Sequence, residues 1–387
     1  MRALPEKQSF QSDWVCQGFR ASRTRSHDTA SKEGPASTRK RSMYSTRRRI
    51  RFDRTGGPDV LRTDHIPLSE PKGNEVLIRV EAIGLSRTDV LWREGRYLED
   101  PVFPAQIGYD AAGTIEAVGP NAVGVKVGDE VSTFPAVSLL DYGAHGEAIL
   151  YPEHALLPYP ENLSPIEAAA VNTGLFTAYF ALVELAELQQ GQFVVVTAAS
   201  SSTGIAALQL AKKIGAKSIA LTRSLAKVPE LIALGADHVL LLGDCDVRKT
   251  IVEITDGLGA DVVYDAVAGP GLEELVWATK RLGQIIVYGA LGGKAGATSL
   301  PFGACFLRGV KLHAGFRIFD FTGNTRLGLR TNQRATQRAK SFISSGLTSG
   351  SFTAKIDRVF YGLDKYVAAH QYLETGVQVG KIVDSLA

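Results

Sequence analysis

An apolar run, FVVV at 193–196, breaks into the small-residue turn TAASSST at 197–203 and resumes from Gly204 as a helical pattern with Ile205, Leu208 and Ala211 on one side. A strand that passes through small residues into a helix leaves backbone N–H groups free at the positive helix end, where a pyrophosphate can rest. The sequence after this junction has the text of a parallel sheet. Mostly apolar strands are expected at 193–196, 218–222, 238–242, 262–265, 284–288 and 311–315, with helical stretches between most of them. Strands that are apolar on both faces and alternate with helices describe a doubly wound sheet. The Gly-Ala-Asp triplets beginning at Gly235 and Gly259 read as turns between helix and strand.

The preceding segment, 50–167, is written differently. EVLIRVEAI at 75–83 alternates apolar and polar as a half-buried strand does, and Gly84 is expected to end it. GYDAAGTIEAV at 108–118 is a second strand, with Gly113 where a side chain would obstruct a close backbone approach. Turn chemistry at 119–131 is expected to flank a short strand. Strands without intervening helices imply a β-rich, barrel-like domain. Ser164 opens a helix with Pro165 at its first position and Glu167 closing a capping box, and 175–188 follows as a long apolar helix ended by Gly191. The last part leaves the alternation: a basic helix at 326–345, a strand at 356–360, a helix at 363–373 and a strand at 381–383. It is too small for a core of its own and is expected to return to the first domain.

At 387 residues and 45 % hydrophobic, the chain is long enough for two domains. No apolar run is expected to reach the roughly 18–20 residues of a membrane span, so no membrane partner is expected. Cys16, Cys245 and Cys305 have neither paired zinc-ligand spacing nor the look of a disulfide framework, which fits reduced thiols in a cytoplasmic protein. Residues 1–49 hold twelve Lys and Arg against four Asp and Glu, so the rest carries −5 against the whole chain's +3. That mildly acidic body gives no support for nucleic-acid binding. The basic segment is poor in aliphatics and is expected to be a disordered extension. It reads as a mitochondrial presequence, as a solvated tail, or as sequence upstream of a start at Met43; Glu6, Asp13, Asp28 and Glu33 count against the first.

Together EVLIRVEAIGL (75–85), GYDAAGTIEAVG (108–119), VKVGDEV (125–131), AASSSTGIAALQLAK (198–212), ALGADHVL (233–240) and GKIV (380–383) resemble the medium-chain dehydrogenase/reductase superfamily, in its zinc-free, quinone-reductase-like branch. The resemblance implies an α/β chain with a GroES-like β-barrel catalytic domain at 50–168, a Rossmann domain at 169–318, a return to the catalytic domain at 319–387, and a cleft between the two. It also implies a homodimer joined through the Rossmann domain.

The dinucleotide turn carries Ala199, Ser201 and Gly204 at the three glycine positions, and the hydroxyls of Ser200, Ser201, Ser202 and Thr203 can add hydrogen bonds to a phosphate. About 20 residues on, an NAD site wants Asp or Glu for the ribose hydroxyls; here stand Thr222, Arg223 and Ser224, with Lys227 following. A carboxylate repels a 2′-phosphate and a guanidinium holds it, which argues for NADPH; the alternative reading of Arg223 and Lys227 is a solvated helix start. Tyr288, Gly289 and Ala290 end the fifth strand, where doubly wound folds bind ligands. The resemblance places Asn172 and Thr177 on the helix facing the cleft and adds Lys381 of GKIV to the cofactor set.

Zinc-dependent relatives hold their metal with a Cys, a His and a third Cys or Asp. The matching places here are Ser86, Tyr109 and, more loosely, Asn172, so no metal is expected. His145, His154 and His370 lack ligand spacing and read as surface or loop residues. Without a Lewis acid a plain ketone is a poor hydride acceptor. A quinone or α,β-unsaturated carbonyl spreads the arriving charge and needs only a hydrogen-bond donor or two. By resemblance Tyr97 is the first candidate donor, with Ser86 and Tyr109 second, while Asp89 orders the loop. The expected activity is NADPH-dependent hydride transfer to a conjugated carbonyl. Alternatives are a zinc-free alcohol dehydrogenase or ketoreductase, and a catalytically silent NADPH-binding protein.

Overall fold

The structure, a computed structural model, describes residues 46–292 and 298–386. The expectations for the basic extension up to residue 45, including Cys16 and the Met43 start, lie outside the described residues. Arg47, Arg48 and Arg49, assigned by composition to that extension, instead open the first strand. Arg48 pairs with Glu147 at 2.7 Å, and Arg49 donates to the Gly143 carbonyl at 2.7 Å.

Two lobes follow from the two kinds of text. In the first lobe, β1 (Arg47–Phe52) pairs antiparallel with β2 (Arg62–Ile66) and β4 (Ala105–Gln106). The larger sheet contains β3 (Glu75–Leu85), β5 (Asp110–Val118), β6 (Glu130–Thr133), β7 (Ala148–Pro152) and β8 (Leu156–Pro158). It is completed by two strands from the far end of the chain, β15 (Ile356–Tyr361) and β16 (Lys381–Ser385), in the order β15-β16-β3-β5-β6-β8, with β7 also on β3. The terminal segment thus returns to the first lobe. In the second lobe β9 (Phe193–Val196), β10 (Lys217–Thr222), β11 (His238–Leu241), β12 (Ala260–Asp265), β13 (Thr279–Val287) and β14 (Lys311–His313) form a parallel sheet in the order β11-β10-β9-β12-β13-β14. The order reverses beside β9, the strand that carries the small-residue turn.

Several elements depart from the sequence pattern for identifiable reasons. β3 runs through Gly84 to Leu85 because a residue with no Cβ is needed there: an added Cβ would lie 2.0 Å from the Ala169 carbonyl oxygen. Gly113 plays the expected part, its Cβ site being 2.0 Å from the Arg79 carbonyl. The strand expected within 119–131 is absent, and extended pairing begins only at Glu130. The basic helix starts late, at Gln333, because Gly328 is left-handed (φ 69°) and Asn332 caps it by accepting from the Ala335 amide.

The helix opened by Ser164 does not stop before 175. With α1 (Arg87–Arg93) already placed, it is α2 (Pro165–Tyr179), which runs on as a π-helical segment over Phe180–Leu185. Its capping box is formed: Glu167 Oε2 accepts from the Ser164 amide at 2.8 Å, and Ser164 Oγ from the Glu167 amide at 3.3 Å. Contrary to the sequence expectation, these 21 residues are long and apolar enough to cross a membrane, but 72 % of that stretch is buried in the protein. α2 packs on β3, β5 and β16 on one side and on α3 (Ser202–Ile214) on the other, so it must be apolar all round.

Candidate active site

At the β9–α3 junction Ser201 is the N-cap, its hydroxyl accepting from the Gly204 amide at 3.0 Å. No acceptor among the described residues takes the amide hydrogens of Ser202 or Thr203, as an anion site at a helix start requires. Gly204 is obligatory: a Cβ there would meet the Ala199 and Ala198 carbonyls at 2.7 and 2.8 Å. Ala199 is buried, and Ala198 bends the chain in left-handed backbone (φ 46°). Thr222 and Ser224 complete the end of β10, where Arg223 is exposed. Lys227 reaches back to the turn, donating to Ser200 Oγ at 3.3 Å and to the Gln378 carbonyl at 2.8 Å. Burial lowers its pKa. Tyr288, just past β13, stacks on Tyr264 with ring centroids 4.0 Å apart, and both hydroxyls are buried. Gly289 lies against the Ala266 carbonyl, which a Cβ would approach to 2.7 Å, and Ala290 follows half-buried. A small-residue cradle and free amides at a helix start together fit a dinucleotide.

Across the seam, α1 is fixed by its first turn. Asp89 Oδ2 accepts from the Ser86 amide at 2.7 Å, and its other oxygen is buried without a partner. Desolvation raises the Asp89 carboxyl to about 7, opposed by the Ser86 amide and the Lys381 charge. Ser86 faces a cluster that sequence reasoning did not assemble. Lys381 Nζ donates at 2.6 Å to both Ser86 Oγ and Asp110 Oδ2, with lysine and aspartate side chains 2 % and 1 % exposed. Ser86 Oγ donates to the same carboxylate oxygen at 3.1 Å, while the hydroxyl of Thr173 donates to Asp110 Oδ1 at 2.7 Å. Lys381, expected to contact cofactor, is therefore engaged inside the catalytic lobe. It remains next to the dinucleotide turn, because the Gly380 amide donates to the Ser200 carbonyl at 2.8 Å.

Tyr97 and Tyr109 stand together, rings 6.4 Å apart, with Phe319 on the other side of Tyr109. Burial raises both phenols above their ordinary pKa, and the buried Tyr109 hydroxyl faces that of Tyr97. Two residues on α2 are less available than expected. Asn172 spends its amide on Ser132 Oγ and the Thr133 carbonyl, leaving Oδ1 buried and unpaired, and Thr177 donates to the Thr173 carbonyl at 2.5 Å. Sequence reasoning also missed the tie of Glu99 to Ser138 Oγ at 2.8 Å and to Asn324 at 3.3 Å, which joins three loops. His145 and His370 are not surface residues. They are buried against Tyr366, and desolvation holds His145 well below its ordinary pKa and His370 at about 3. No local pattern marks His145; Gly108, 37 residues away, makes room for it, since a Cβ there would come within 2.0 Å of the imidazole.

Residues 72–161 match the alcohol dehydrogenase GroES-like domain family and 202–326 the zinc-binding dehydrogenase family. The chain is 32 % identical to a quinone oxidoreductase of Pongo abelii over 246 residues, 63 % of this chain and 74 % of that one. The chain belongs to the medium-chain dehydrogenase/reductase superfamily, in its quinone-reductase-like branch. A quinone oxidoreductase of Pseudomonas syringae superposes with TM-score 0.76 at 26 % identity, covering 88 % of this chain and 100 % of the other. The Escherichia coli quinone oxidoreductase complexed with NADPH gives TM-score 0.76 at 25 % identity, with the same coverage. As a member of this superfamily the protein is an oxidoreductase with a nicotinamide cofactor, and the β9–α3 turn is where such a dinucleotide fits.

The zinc named by one matching family was tested against the donors present. Among the described residues no three His, Cys, Asp or Glu side chains come together. The places matched to zinc ligands hold the Ser86 hydroxyl, the Tyr109 phenol and the Asn172 amide, and the nearby Asp110 carboxylate is already paired with an ammonium, a set that does not suit zinc.

Proposed function

We propose that this protein is an NADPH-dependent reductase of conjugated carbonyl compounds, quinones or enones. The observation that carries the cofactor choice is the pair of cations at the end of β10. Arg223 stands where an NAD site needs a carboxylate, and Lys227 is anchored on Ser200 of the dinucleotide turn. A 2′-phosphate supplies the anion that makes two cations beside a helix start favourable. Ser202 and Thr203 offer their amides to the pyrophosphate, and Tyr288 covers the inner end of the site.

The bound nicotinamide supplies the hydride. The protein supplies donors for the oxygen that gains charge: Ser86, half-buried, and the buried hydroxyl of Tyr109 beside Tyr97. A well-placed donor is worth about 3 kcal/mol, enough for an acceptor whose charge is delocalised. Phe319 packs on the Tyr109 ring, and the Glu99–Ser138–Asn324 tie holds the surrounding loops together.

The test is NADPH oxidation followed optically with an ortho-quinone, an enal and a simple ketone, each repeated with NADH. Turnover of a conjugated acceptor is expected, with NADPH favoured at least tenfold in kcat/KM. Arg223→Ala is expected to lower that preference about 10–100-fold, chiefly through KM for NADPH. Equal use of NADH, or turnover of the ketone alone, would overturn the reading.

A further inference from the structure

The matched zinc-binding family and the donors in this cleft disagree, and the structure shows what stands there instead. Asp110 leaves β5 with its carboxylate pointing at the end of β3, where Ser86 begins α1. A carboxylate this deep is costly unless a cation and hydrogen bonds compensate it. Both are present. Thr173 on α2 serves one oxygen, and Ser86 and Lys381 serve the other. The ammonium sits 2.6 Å from an alcohol oxygen and 2.6 Å from a carboxylate oxygen, fully enclosed, on a strand whose preceding residue is bound to the dinucleotide turn. A divalent ion brought to the same oxygens would face that ammonium at close range.

We propose that the Lys381 ammonium is the cleft's own fixed cation, taking the role a metal ion would have and polarising the Ser86 hydroxyl toward the substrate oxygen. Lys381 is a positioning residue: it acts through Ser86, which is half-buried where Lys381 and Asp110 are fully enclosed. As it already donates to Ser86 Oγ, it makes the Ser86 hydrogen a stronger donor. It keeps Asp110 neutralised when Ser86 turns that hydrogen from Asp110 to a substrate oxygen gaining charge. A cation locked between strands costs no reorganisation when that charge appears. The catalytic part rests on the reading of the reaction above; the exclusion of metal does not.

The experiment compares Lys381→Met, Asp110→Asn and the double variant Asp110→Asn/Lys381→Met with the wild type by thermal unfolding and by steady-state reduction of an ortho-quinone. Lys381→Met alone strands the Asp110 charge, so a lower Tm is expected. The double variant, with neither charge, is expected to regain most of that loss, and it decides the matter if the single variant fails to fold. The double variant is also expected to keep KM for NADPH within about threefold while kcat stays roughly 100-fold down. Recovery of kcat along with Tm would reduce Lys381 to a structural role and overturn the proposal. So would Tm losses that simply add, since the two groups would then not be a pair. In parallel, wild-type protein incubated with excess zinc chloride and dialysed is expected to retain no stoichiometric zinc by elemental analysis, and retention of one zinc per chain would overturn it. Wild-type protein inactive on every acceptor sinks the reaction assigned above, while the Tm cycle and the zinc measurement still decide the fixed cation.

Discussion

Asp89 shows how one buried group writes itself into pH dependence. Its carboxyl is held at about 7 by desolvation, against an ordinary value of 3.8, so between those values the folded protein keeps a proton that the unfolded chain has lost. The stability this contributes is complete below pH 3.8 and disappears as pH rises to 7. Asp89→Asn keeps an acceptor for the Ser86 amide and cannot ionise. It is expected to gain on the wild type by about 2–4 kcal/mol between pH 4 and pH 8, beyond any constant offset, in urea unfolding measured across that range. A difference independent of pH would show that Asp89 is neither buried nor strained as described. The residue's loop-ordering part was anticipated from the family resemblance, and the structure gives it a physical form, Asp89 accepting from the Ser86 amide. The partnership of Asp110 with Lys381 was not, since 271 residues separate them and no local pattern relates them.

Among the elements, the β9–α3 junction was readable because every requirement is local: an apolar strand, a small turn, a capping serine and a helix. β3 and α2 were harder. Gly84 looks like a strand terminator in isolation, and only its neighbour explains it: the Ala169 carbonyl of α2 occupies the space a side chain would need. Gly84→Ala is expected to lower stability by about 2–4 kcal/mol, as overpacking against rigid backbone does. Chemical denaturation would measure this, and a loss under about 0.5 kcal/mol would mean that α2 is free to shift. Likewise the sequence reads as two helices where α2 is continuous through Gly174, whose Cβ site lies 3.0 Å from the Ser202 carbonyl of α3, a close approach visible only in the packed structure.

For the whole molecule, two lobes and the return of the terminal segment could be anticipated, because strand-only text and strand–helix text make different architectures. Association leaves a fainter trace. β14 is the outer strand of the parallel sheet, and beside it Leu282, Phe302, Phe306 and Leu307 are each at least 60 % exposed, with the two phenylalanine rings stacked. An apolar face at an open sheet edge is expected to meet a second copy of the chain. Light scattering at micromolar concentration is expected to give a dimer mass, and Phe306→Glu to shift it to the monomer; a monomeric wild type would contradict this.

β16 lies between β15 and β3, although it is synthesised some three hundred residues after β3. While the chain is still on the ribosome, β3 therefore has a bare edge on that side and Asp110 has no ammonium to meet it. A translation product stalled before residue 381 holds an intact dinucleotide turn beside an unfinished acidic hollow. Such a fragment presents an open sheet edge and a carboxylate without its cation, the two features that most favour pairing with another chain and loss of the fold.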